Sequence, residues 1–227
     1  GTSMHSAQWK HEVEFEGKHV AVIGSAASAI QLIPELAKIV AQLDVYQRTP
    51  NYVAPRNDRE FTESEKNRFA KWPLLNRLYR KFIFLRGELL LFPIVRTKHK
   101  SKFRDRVEDS IKGHIRSTVT DTEAAQKMIP EYSLGCKRML SADNFYPTMN
   151  RDNVTLITQG IDQIQDNNIV TKDGTKHHAD IIVYATGFDL ENYMRKTEVT
   201  GPKGLKLSEI WKDLPKAYKG AFVPGMP

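Results

Sequence analysis

Residues Gly24 to Ala29 read Gly-Ser-Ala-Ala-Ser-Ala, small enough to make a tight backbone turn, and they separate two different periodicities. Before them, His19-Val20-Ala21-Val22-Ile23 is an apolar run of strand length. After them, Ile30, Ile33, Leu36, Ala37 and Val40 recur at helical spacing. A strand that turns at once into a helix aims backbone N–H groups and the positive end of the helix dipole at one point, which suits a pyrophosphate. Gly24, Ser25, Ala26, Ala27, Ser28, Ala29 and Gln31 are therefore candidate contacts to a dinucleotide. The next strand, Leu43-Asp44-Val45-Tyr46, lacks the terminal acidic residue that favours NAD and runs into Gln47-Arg48-Thr49. A guanidinium at Arg48 can hold phosphate oxygens through two parallel hydrogen bonds, and Thr49 adds a hydroxyl. The cofactor expected is NADP(H), with its ribose 2′-phosphate on this pair.

The elements that must position these residues can be followed along the chain. Gly1-Thr2-Ser3 reads as an expression scar and residues 4–18 as a polar incoming linker. The helix after the turn is expected over 27–41, with Pro34 giving a kink or a short first turn. Residues 50–56 leave the second strand in extended form between two prolines. Residues 57–127 read as helical, with Thr62-Glu63-Ser64-Glu65 as a helix start. One apolar stripe there is Leu74, Leu75, Leu78, Phe82 and Leu85, and another is Phe103, Val107, Ile111 and Ile115. Strands return at 154–157, 161–165 and 168–171, the last two joined at Asp166-Asn167; a turn follows at Lys172-Asp173-Gly174. The buried-strand run Ala179 to Tyr184 ends in Ala185-Thr186-Gly187, where Thr186 and Gly187 mark a close backbone approach to a cofactor. The expected fold is α/β: a Rossmann-like parallel sheet with a helical insertion and a small β element. Its parts would be a linker (1–18), a first dinucleotide-binding part (19–56), the insertion (57–127), a second dinucleotide-binding part (128–189) and an irregular return linker (190–227).

Composition narrows the class. A chain of 227 residues with 40% hydrophobic residues can bury a sizeable core. No run approaches the roughly 20 apolar residues of a membrane span; Phe82 to Val95, broken by charges and Pro93, reads as a buried or half-buried helix. The single cysteine, Cys136, allows no internal disulfide and points to a reducing, cytoplasmic setting. Its neighbour Lys137 could activate the thiol, but no partner signature accompanies it, and an inert thiol is favoured. The seven histidines have no metal-ligand spacing, and the adjacent pair His177-His178 would point to opposite faces of a strand. The net charge of +7 is concentrated in residues 57–116, which carry 16 Lys/Arg against 8 Asp/Glu. That stretch reads as a solvated basic face, a weak membrane-surface contact or, least favoured for want of a recognition motif, a nucleic-acid contact.

Five segments in order resemble the flavin-dependent monooxygenases of the two-dinucleotide type, in particular the Baeyer–Villiger branch. His5-Ser6-Ala7-Gln8-Trp9 is similar to the second half of that branch's fingerprint. Gln47-Arg48-Thr49-Pro50-Asn51-Tyr52 resembles its Gln-Arg-Thr-Pro-x-aromatic segment. Gly135-Cys136-Lys137-Arg138 resembles its Gly-x-Lys-Arg, Asn144-Phe145-Tyr146-Pro147 its following Tyr-Tyr-Pro, and Ala185-Thr186-Gly187 its Ala-Thr-Gly. Ala26 stands where that family usually has a second glycine, and Lys10 where the branch usually has Pro or Asp.

The resemblance implies an NADP-binding domain fragment of an FAD- and NADPH-dependent monooxygenase. NADPH would reduce FAD, and the reduced flavin would take up O₂ as a C4a-peroxyflavin. Oxygen would then go beside a ketone carbonyl or onto the heteroatom of a sulfide or amine. It further implies that Lys137 reaches the 2′-phosphate and that Arg138 is the catalytic arginine beside the flavin, steadying nicotinamide and peroxyflavin. The implied partner is a flavin domain of the same parent chain, with the isolated fragment inactive. An alternative is a non-catalytic nucleotide-binding module of an electron-transfer or regulatory protein. No metal or nucleic acid is expected.

Overall fold

The computed structural model describes residues 1–96, 101–188, 197–211 and 215–226, with the backbone alone for 90–96 and 203. The chain divides into two compact units, Gly1–Thr186 and Gly187–Pro227. The first is built on five parallel strands: β1 (Thr2–His5), β2 (His19–Ile23), β3 (Gln42–Tyr46), β6 (Val154–Ile157) and β10 (Ile181–Tyr184). Their order is β1-β10-β2-β3-β6. Val22 faces Val45 on one side and Val183 on the other, so the central strand is apolar along its length.

Strand alternation divides the sheet into two faces. Val20, Val22, Leu43, Val45, Ile181 and Val183 pack into the larger core with Ile30, Ile33 and Leu36 of helix α1 (Ala29–Leu36). Ala21, Tyr46 and Ile182 point the other way, toward Ile169 in a smaller apolar cluster. That second face is covered by an antiparallel sheet of β7 (Ile161–Gln165), β8 (Asn168–Thr171) and β9 (Lys176–His178). The turn at Asp166 has a positive φ of 53°, as a two-residue hairpin connection requires. His177 approaches Asp44 at 3.9 Å while His178 meets Asp180 at 3.2 Å, the opposed directions expected of neighbours on a strand.

Three expectations are corrected. Thr2–His5, read as scar and linker, forms the outer strand, pairing in parallel with Ile181–Tyr184. A polar sequence can take this place because an edge strand is satisfied by ladder hydrogen bonds on one side. Helix α1 ends at Leu36, two residues after Pro34, and the chain continues to Val40 in single turns. Asn153 then donates to the carbonyls of Ala37 (3.1 Å) and Val40 (3.0 Å), closing the C-terminal end of the helix. The third correction concerns Phe82 to Leu89, expected to be buried at least in part: Phe82, Ile83, Phe84, Leu85 and Leu89 are exposed. The rest of that stretch, to Val95, has no side chains among the described residues.

The insertion consists of α2 (Glu63–Lys71), α3 (Pro73–Arg96), α4 (Lys102–Thr118) and α5 (Thr122–Lys127). Its entry is fixed by Asp143, whose carboxylate accepts from the backbone N–H groups of Arg56 (2.7 Å), Asn57 (3.0 Å) and Asp58 (3.1 Å). These bonds hold that carboxyl below its ordinary range. Two short strands not anticipated from the sequence, β4 (Val53–Ala54) and β5 (Leu140–Ser141), pair in parallel across the base of the insertion. Helix α6 (Phe145–Thr148) packs near α1 and α4. The second unit, expected as irregular, contains a 3₁₀ turn at Pro202–Gly204 and α7 (Leu207–Ile210), with bridges Thr200–Lys206 and Tyr218–Phe222.

Candidate cofactor-binding site

The chain leaves β2 toward β3 and β6 on one side, while β10 takes the other side of β2. Ligands of open parallel sheets bind outside the carboxyl ends of the strands at such a reversal. A cleft of about 820 Å³ lies there. Its lining comes from the ends of four strands: Ile23–Ala26 after β2, Tyr46–Thr49 after β3, Thr158–Ile161 after β6, and Ala185 and Thr186 after β10. Asn51, Lys137 and Lys172 complete it.

Gly24 has φ +114°, and a Cβ there would lie 2.5 Å from the carbonyl oxygen of Ala185. Only glycine meets both demands, which lets β2 and β10 end side by side. Its N–H donates to Tyr46 O (2.9 Å), which ties the turn to β3. Asn51 donates to the carbonyl of Ser25 (3.1 Å), holding the turn from the far side. The first helical bond, Ile30 N–H to Ala26 O, leaves the N–H groups ahead of it without intrahelical acceptors, as at every helix start. The Ser28 side chain makes no capping bond to them.

Lys137 lies 89 residues beyond Arg48 in sequence, and two tyrosines account for its place beside the turn. Tyr52 donates to Tyr132 O (2.8 Å), and Tyr132 donates to Pro50 O (3.0 Å). The rings meet edge to face at 5.5 Å. Burial, assisted by the Glu108 carboxylate, pushes the Tyr52 hydroxyl up to about 12. Lys137 Nζ stands 4.8 Å over the Tyr132 ring, a cation–π contact that keeps the ammonium at the cleft. From α4, Glu108 accepts the backbone N–H of Leu134 at 2.7 Å and so fixes the loop that carries Lys137.

Of the residues singled out from sequence, Gly24, Ser25, Ala26, Arg48, Thr49, Lys137 and Thr186 line the cleft together. Ala27, Ser28 and Gln31 are not among the lining residues; the Gln31 amide donates to Ala27 O at 2.8 Å. Ala29 is fully buried, its methyl packed in the core instead of open to a ligand. Arg138 and Cys136 are exposed and outside the lining. Gly187, with φ +93°, opens the second unit. Sequence reading missed Gln47, Asn51, Thr158, Gln159, Gly160 and Lys172. Thr158 to Gly160 could have been found, since they directly follow a recognised strand. Lys172 reaches the cleft through the hairpin register: its N–H donates to Gly160 O (2.8 Å), and its side-chain carbons lie beside the Gly160 Cα.

The lining holds three cations, Arg48, Lys137 and Lys172, with the hydroxyls of Ser25, Thr49, Thr158 and Thr186, and it includes no Asp or Glu. Chemically such a lining can receive an anion beside the turn that precedes α1, and its donor set fits a phosphorylated dinucleotide. Among the described residues no three His, Cys, Asp or Glu side chains form a metal-ion cluster.

A parallel sheet with a cationic cleft at its switch point defines the dinucleotide-fold class. No protein-family model matches the chain. Over its whole length it is 38% identical to the Baeyer–Villiger monooxygenase of Pseudomonas aeruginosa, spanning 42% of that protein. It is 34% identical to the Baeyer–Villiger monooxygenase of Streptomyces coelicolor, spanning 43%. Among solved structures, cyclohexanone monooxygenase from Rhodococcus sp. Phi1 bound to NADP⁺ superposes with a TM-score of 0.83 at 26% identity, over 100% of this chain and 49% of that one. Oxidized steroid monooxygenase bound to NADP gives 0.80 at 30% identity, over 99% and 50%. From end to end, the chain is similar to one stretch of the Baeyer–Villiger monooxygenases, less than half the length of the curated relatives it matches.

Proposed function

We propose that this chain is the NADP(H)-binding part of an FAD- and NADPH-dependent monooxygenase. The observation that carries the proposal is the cleft's composition: three cations and no carboxylate, set against a Gly24 turn at the start of α1. The similarity to monooxygenases solved with NADP supports the same reading. In this assignment residues 19–56 and 128–189 form the nucleotide site, 57–127 the insertion, and 190–227 lead toward a flavin domain of the same parent.

The Gly24–Ala26 turn ahead of α1 takes the pyrophosphate, Arg48 and Thr49 take the 2′-phosphate, and Lys137 reaches the same phosphate. When bound, NADPH supplies a hydride. The chain's own residues bind the nucleotide, fix its direction across the strand ends and select the phosphorylated form. FAD is assigned to the rest of the parent, with Arg138 exposed next to Lys137 as the residue offered toward it. The parent's substrate belongs to the ketones, sulfides or amines. We place the protein in the cytoplasm, where its single exposed thiol stays reduced. The 227-residue chain alone should give no NADPH- and O₂-dependent product.

The test is calorimetric titration of the chain with NADPH and, separately, NADH. NADPH should bind selectively. Arg48→Ala should weaken it by about 10- to 100-fold, the loss of one charge-assisted bidentate contact, while leaving NADH unchanged. Ala26→Gly should leave the selectivity intact. Equal affinity for both nucleotides, unmoved by Arg48→Ala, would overturn the reading.

A further inference from the structure

Helix α3 is the one long apolar element of the insertion whose described side chains stay open to solvent. Leu74 is 67% exposed, Phe82 59% and Leu89 72%, with Leu78 and Leu85 between them also exposed. At about 100° per residue these five fall within an arc of about 80° over four turns, while Leu75, Ile83 and Phe84, also exposed, lie on other faces of the helix. The neighbouring face is already used: Tyr79 packs edge to face with Phe61 at 5.8 Å and meets Phe69 at 5.5 Å, which seats α2 against it. Lys81 and Arg86 lie along the two flanks of the stripe, and Arg77 and Arg80 lie farther round. All four are exposed, and none forms an ion pair among the described residues. Glu88 is the single acid of α3.

A nucleic acid would use the cations and leave the leucines wet. A bilayer carrying anionic headgroups complements both. No helix of the described residues is long and apolar enough to cross a membrane, so the helix would lie in the interface plane, with its stripe among the acyl chains and Lys81 and Arg86 reaching up to headgroups. We propose that α3 docks the protein on an anionic lipid surface. This inference is independent of the nucleotide site, which lies at the strand ends.

The experiment is flotation of the 227-residue chain with vesicles of phosphatidylcholine alone and of phosphatidylcholine with 30% phosphatidylglycerol (probe compositions set on the order of a cytoplasmic leaflet's charge). Binding should be confined to the anionic vesicles and weaken as salt rises. Lys81→Gln with Arg86→Gln should lower it by about fivefold per cation. Leu78→Asp with Phe82→Asp should abolish it while NADPH binding and the circular-dichroism spectrum stay unchanged, which shows that the fold survives. Failure to float with anionic vesicles would overturn the proposal. So would floating undiminished in the Leu78→Asp/Phe82→Asp variant. A concentration-dependent dimer that the same variant dissociates, with no vesicle binding, would assign the stripe to a second copy instead.

Discussion

Helices α3 and α4 carry the same kind of apolar stripe and meet opposite fates. In α4, Ile111 and Ile115 are buried, with Phe103 and Val107 packed against the same core. In α3 the stripe from Leu74 to Leu89 is exposed. Periodicity determined that both would be helices, because it is a local property. It could not determine burial, because that depends on what arrives from elsewhere in the chain. For α4, α6 and the loop carrying Lys137 arrive; α3 is met by α2 and α4, and neither covers the described side chains of its stripe. The two helices thus divide the insertion into a half that supports the cleft and a half that presents a surface.

The largest effect should come from breaking the buried half. Ile115 is fully buried, and Ile115→Ala should cost about 2–5 kcal/mol through lost transfer energy and an unfilled cavity. The matching change on the other helix, Phe82→Ala, should move stability by no more than about 0.5 kcal/mol. Chemical denaturation of both variants checks the pair. Comparable losses would mean that the α3 stripe is buried in solution and that the contrast between the helices is mistaken.

A smaller effect sharpens the link between α4 and the cleft. Glu108→Ala leaves the N–H of buried Leu134 without its acceptor, at a cost of about 1–3 kcal/mol. The loop that presents Lys137 should loosen as well. NADPH affinity should fall several-fold while NADH binding, which has no 2′-phosphate to lose, stays level. A parallel loss for both nucleotides would show that Glu108 supports the whole turn and not the Lys137 wall.

The sequence disclosed whatever is local. Strand runs, the Gly24 turn, Arg48 at the end of β3 and the Asp166-Asn167 hairpin all follow from residue type and near-neighbour spacing. Elements that depend on distant pairing stayed hidden. Thr2–His5 reads as linker because its partner strand begins near residue 181. Leu140–Ser141 gives no strand signal because its ladder partner, Val53–Ala54, is distant in sequence. Lys172 joined the cleft through a hairpin register, and the Tyr52–Tyr132 exchange that holds Lys137 at the cleft spans 80 residues. Ala29 was legible as part of the turn but not as a core methyl, since helix phase decides which of two adjacent small residues faces the sheet.

The smallest effect tests whether the exposed half is ordered on its own account. Helix α2 buries no residue, so its start depends on local bonds. Thr62 and Glu65 form a reciprocal capping box, and Arg59 grips the Glu65 carboxylate through two bonds of 2.9 and 2.8 Å. The Arg59 guanidinium, followed by the Thr62 N–H, lowers Glu65 to about 2. A depressed carboxyl contributes its stability above the ordinary carboxylate range and loses it as pH falls through the folded value. The box should therefore hold at pH 4 and open only as pH approaches 2. Because these groups sit at the surface, salt should weaken the effect. Amide chemical shifts of Thr62 and Glu65 followed by NMR from pH 6 downward read this directly. Arg59→Gln should move the midpoint up toward the ordinary carboxylate range. A midpoint already there in the unaltered chain would mean that the box does not form. The start of α2 would then rest on the Phe61–Phe69–Tyr79 contacts.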